Sequence, residues 1–86
     1  MNKLFDEILS LKDERTHRSA LRIQSILNDN PDLFTRTFGP DLYRDFSSGF
    51  DLIAGSRAGY FGTEQFKSDF GKQIESISYY LNRISP

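Results

Sequence analysis

Apolar residues recur every three or four positions through most of the chain, the spacing of amphipathic helices. Residues 1–30 contain no glycine or proline. At about 100° per residue, Leu4, Phe5, Ile8 and Leu9 share one arc with Ala20, Ile23, Ile26 and Leu27. Lys12, Arg15, Thr16 and Ser19 fall inside that same arc, which a continuous buried stripe does not tolerate. Two arrangements satisfy the pattern. The helix breaks near Asp13 to Thr16, with Thr16 capping a second helix, or a single helix about 39 Å long runs over 3–28 with a solvated middle. The long form in so short a chain points to a dimer.

Asn30-Pro31 ends this region, because proline disfavours helical geometry in the residue before it and suits the first turn of the next helix. A short Pro-initiated helix over 31–38 follows. Gly39 supplies a left-handed cap, and Pro40-Asp41 restarts the pattern with the same chemistry as Pro31-Asp32. From 41 to 54, Leu42, Phe46, Phe50 and Ile53 form a core face flanked by Tyr43 and Ala54. Gly49 within it costs about 1 kcal/mol relative to alanine, which marks a close approach by a neighbour or a local bend.

Gly55, Gly59 and Gly62 punctuate a loop that carries Arg57, Tyr60 and Phe61. Thr63 then caps a last helix whose stripe is Phe66, Phe70, Ile74, Ile77, Leu81 and Ile84, with Tyr80 at its edge. Of the Phe and Tyr residues only Phe5 precedes Phe34, so the aromatic core is assembled mainly from the last two-thirds of the chain. The fold expected is all-α, a bundle of about four helices in a single domain over 1–86.

Composition narrows the function mainly by exclusion. A chain of 86 residues buries about 60 to 65% of its unfolded surface, enough for one core. Lys plus Arg number 11 against 12 acids, evenly spread, so no charged tail advertises nucleic acid. There is no cysteine, hence neither a disulfide framework nor a thiolate metal site, and the N-terminus lacks the apolar run of a secretory signal. No stretch approaches the ~20 apolar residues that span a bilayer. A soluble cytoplasmic protein without membrane contact is the expectation.

Chemistry-bearing residues are sparse. His17 is the only histidine and reads as a solvated helix residue; no ligand spacing surrounds it for a metal, and no nucleophile–base pair or carboxylate pair stands out. Neither catalysis nor a cofactor is expected. Arg15, Arg18 and Arg22 lie within about 60° of one another if all three are helical, forming either a basic patch or a solvated face in which Glu14 pairs with Arg18. Tyr60 and Phe61 beside Arg57 have the composition of an interface hot spot, although a lone Phe61 also suits a plug folded back on the core. Tyr79 points away from the apolar stripe and can stack on Arg83 at i+4. Leu11, Leu21, Leu52, Tyr43 and Tyr80 add apolar surface at the margins.

These features favour a small non-enzymatic module that binds another protein, in the manner of an adaptor, an immunity or antitoxin partner, or an inhibitor from a phage or mobile element. The candidate surface is Arg15, Arg18, Arg22, Arg57, Tyr60, Phe61, Tyr79 and Arg83. The alternative is a homodimeric nucleic-acid-binding regulator that uses the arginine-bearing helix.

Overall fold

The computed structural model describes residues 2–84, and within them the side chain of Ile84 is not described. Among the described residues five α-helices follow one another: α1 (Lys3–Ser10), α2 (His17–Asp29), α3 (Pro31–Phe38), α4 (Pro40–Ala54) and α5 (Glu64–Ile84), with a 3-10 turn at Ala58–Tyr60 before the last. The all-α class holds. The helices number one more than the four or so expected, because the first region breaks in two. Among the described residues no helix is long and apolar enough to cross a membrane.

The break has a local cause. Leu11 to Asp13 form a turn, and Thr16, in extended geometry (φ −127°, ψ 162°), caps α2 by accepting from the Ser19 backbone N–H at 3.2 Å. Ser19 therefore does not intrude on the apolar stripe. It is 1% exposed, and its hydroxyl is satisfied by the Glu14 carboxylate and by Thr16. Lys12, Arg15 and Thr16 precede the helix and never had to share its buried face.

The two central junctions follow backbone rules. Asn30 ends α2 and Pro31 opens α3. Gly39 alone separates α3 from α4, at φ 88° and ψ 156°. The φ is positive, as a glycine cap requires, but the ψ is extended rather than left-handed helical, because the chain must turn into a new helix at once. Thr63 caps α5 as expected, its Oγ1 accepting from Phe66 N–H at 3.1 Å.

α4 is the central helix: α2, α3 and α5 all pack on it, and α1 lies on α2. The radius of gyration is 12.2 Å, matching the roughly 12 Å expected of a compact chain of this length. The core runs from Phe5 and Ile8 through Ile23, Ile26 and Leu27 to Phe50, Phe70 and Leu81. Leu42 and Tyr43, placed on the face of α4 or beside it, are only half-buried.

Aromatic rings gather at two places. One group joins Phe5, Phe34, Phe38, Phe46 and Tyr80 through centroid distances of 5.1 to 6.3 Å. The other joins Phe50, Phe70 and Phe66 to Tyr60, Phe61 and His17. The first clamps α1, α3, α4 and α5 together, whereas the second fixes the loop after α4 to the helices around it.

Candidate protein-binding surface

The residues expected to face a partner divide into those the fold uses internally and those it leaves outward. Arg15, Arg18 and Arg22 do not form one row. Arg15 lies in the connection before α2 and reaches α5, where it donates to the Lys67 carbonyl at 3.2 Å. Its guanidinium rests on Gly71: a Cβ there would come within 2.9 Å of it. Arg22 binds the Glu7 carboxylate of α1 through two nitrogens, the second contact at 2.9 Å. This fork holds the Glu7 carboxyl below its ordinary pKa and raises that of Arg22. Arg18 is exposed, and the pairing with Glu14 does not form, because that carboxylate accepts from Ser19 instead.

His17 is exposed, as expected, but it is not free. It opens α2, stacks on Phe61 with 3.7 Å between centroids and 19° between planes, and donates from Nε2 to the Ala54 carbonyl at 3.2 Å. The end of α4, the start of α2 and the loop between α4 and α5 are thus fastened at one point. Phe61 is the plug considered from its sequence position, edge-on to Phe66 at 5.4 Å.

Tyr60 is a second fastening. It packs edge-on against Phe66 and donates its hydroxyl to Asp69 Oδ2 at 2.5 Å. Burial, reinforced by the Asp69 carboxylate, pushes the Tyr60 phenol up to about 12. The same bond, with a second one from Gln65, holds Asp69 below its usual range. Of the loop trio only Arg57 is exposed.

On α5, Tyr79 stands 55% exposed, with Arg83 5.4 Å from its ring centroid and donating to its hydroxyl at 2.7 Å. This is the i, i+4 stack the spacing predicts. Tyr43 and Tyr80 are not free apolar surface: Tyr43 donates to the Leu27 carbonyl at 2.7 Å, and Tyr80 packs on Phe38 and Phe46. Leu21 and Leu52 remain outward, at 43% and 75% exposed.

Leu52 lines a groove of about 400 Å³ between α4 and α5. Gly49 makes the groove possible, because a Cβ there would meet the Gln73 amide at 2.6 to 2.7 Å. That explains the glycine inside α4 as a close approach. Ser56, Tyr60 and Lys72 complete the walls. The Asp69 carboxylate also lines it but is engaged by Tyr60 and Gln65; Lys72, whose charge helps hold that carboxyl low, forms no ion pair among the described residues. Gly49, Leu52 and Tyr60 were the sequence signals on this groove, but nothing in the sequence placed Gln73 and Lys72 of α5 opposite them.

Among the described residues no group of three or more His, Asp or Glu side chains is placed to hold a metal ion. Comparison with protein-family models, with curated proteins and with solved structures finds no match to the chain.

Proposed function

We propose that the protein works by binding another protein, without catalysis of its own, through the groove between α4 and α5. The observation that carries this is Leu52, a large apolar side chain 75% exposed beside a concave surface. An isolated exposed leucine means little, but one at the wall of a groove, with Lys72 across from it and in no ion pair among the described residues, offers the apolar anchor and charged rim of an interface. Arg57 directly follows Ser56 of the groove and extends its basic rim. We read its mode of action as that of an adaptor, an immunity or antitoxin partner, or an inhibitor, and we place it in the cytoplasm on its lack of cysteine.

The nucleic-acid alternative has less to draw on, since Arg15 and Arg22 direct their guanidinium groups to Lys67 and Glu7. The single long helix that suggested a dimer does not form.

The test is affinity capture from the source cell with the wild-type chain and with Leu52→Glu, which is exposed enough to leave folding unchanged by circular dichroism. The expected result is a partner retained by the wild type and lost by the variant. Equal capture by both, or no partner for either, overturns the proposal.

A further inference from the structure

α1 and α3 are the two shortest α-helices, 8 residues each, and each buries two side chains: Phe5 and Ile8 in α1, Phe34 and Phe38 in α3. Their attachment to the chain differs. Single-residue joints at Asn30 and Gly39 tie α3 to α2 and to α4, so it cannot move away without them. α1 is joined to α2 through residues 11–16, of which Leu11 is half-buried and the others are exposed. No side chain of that connection is committed to the core.

The packing beneath the connection is open. Lys12 and Asp13 stand across a space of about 300 Å³ from Ile74 and Ser78 of α5. The Ser78 hydroxyl is buried and has no hydrogen-bond partner among the described residues. An unmet hydroxyl of this kind disfavours the closed arrangement relative to any state that admits water to it. The hold of α1 is also narrow. Phe5 meets Phe34 at 5.6 Å between centroids, Ile8 is fully buried, and the ion pair that α1 makes among the described residues is the solvent-exposed fork between Glu7 and Arg22, which water screens. Once undocked, a helix this short does not persist, because isolated helices below about 12 residues are marginal in water.

We infer that α1 is a releasable latch: it undocks from α2 and α3 and unwinds in one step about a hinge at Leu11 to Asp13, while α2 to α5 stay folded, and its release admits water to Ser78. The hinge lies there because the residues that follow are tied to the body. Glu14 and Thr16 are bonded to Ser19 of α2, and Arg15 donates to the Lys67 carbonyl of α5. The two forms differ in apolar surface, since Phe34, 0% exposed behind Phe5, is uncovered only when the latch is open. No residue of α1 lines the groove between α4 and α5, so the latch does not rest on the function proposed for that groove.

The experiment is native-state amide hydrogen exchange of the whole chain, read by NMR. The amides of Asp6 to Leu11, all bonded within α1 or at its ends, are expected to exchange through one shared opening, at least about a hundredfold more populated than the openings that expose α3 and α4. Glu7→Gln keeps the shape of the side chain and removes its charge, and is expected to speed exchange about threefold in α1 alone. Ser78→Ala removes the unmet hydroxyl from the closed form and is expected to slow exchange in α1 about fivefold. Exchange of α1 at the rate of α3 and α4, acceleration by Glu7→Gln that spreads over all the helices, or α1 exchange left unchanged by Ser78→Ala each overturns the latch.

Discussion

The chain changes direction in two different ways. At its centre, Asn30-Pro31 and Gly39 join α2 to α3 and α3 to α4 in the space of one residue each, by backbone geometry and, at Asn30, a bond from its own side chain to the Ile26 carbonyl four residues back. Toward its ends, the connections over 11–16 and 55–63 are held by side chains reaching far along the sequence: Arg15 to Lys67, His17 to Ala54 and Phe61, Tyr60 to Asp69. The first kind of junction is specified by what a residue cannot do. The second is specified by what distant residues can do together, and it draws on the polar and aromatic side chains that otherwise look like candidates for binding.

Three substitutions break this contrast, in descending size. Gly39→Ala places a β-carbon at φ 88°, ψ 156°, in open space but in a backbone region essentially reserved for glycine. The expected cost is about 3 kcal/mol by urea denaturation; a loss under about 1 kcal/mol means the junction relaxes and is not backbone-determined. Phe61→Ala removes the ring that joins His17 to Phe66 and is expected to cost about 2 kcal/mol. Its signature is faster amide exchange confined to 55–63 and the start of α2. Exchange that quickens uniformly over the helices contradicts a local fastening.

The smallest effect is that of Tyr60→Phe, about 1 kcal/mol near neutral pH. Its sign with pH follows from the raised phenol. The folded value of about 12 lies above the ordinary tyrosine value of 10, so the contribution is complete below pH 10 and is lost as pH rises toward 12. Wild type and variant should therefore converge at the alkaline end, and a phenolate absorbance titration should show one tyrosine ionising after the others. At the acid end the depressed Asp69 carboxyl acts oppositely, its contribution fading as pH falls through its lowered folded value. A Tyr60→Phe difference that stays constant across the alkaline range removes the bond from the account.

The residues proposed from sequence as a binding surface show where local reading stops. Tyr79 and Arg83 were legible because a helix puts i and i+4 on one face. Arg57 stays outward. Arg15 and Arg22 were expected beside Arg18, yet the first lies before the helix and the second has a partner on α1. Nothing local announces that Glu7 will stand opposite Arg22, fifteen residues away. Gly49 was recognised as a sign of close approach, but its counterpart, Gln73, became visible only once α4 lay against α5.

By itself the sequence determined the helices, their caps and the two abrupt central junctions. Those depend on hydrophobic period, proline, glycine and a capping hydroxyl, all of which act within a few residues. The break in the first region has the same local cause, the Thr16 cap, although periodicity also allowed a continuous helix. Only the tertiary structure decided that His17 and Tyr60 fasten loops and that two pockets flank α5. Each of these depends on which side chains meet across helices, and that is set by the packing of the whole core.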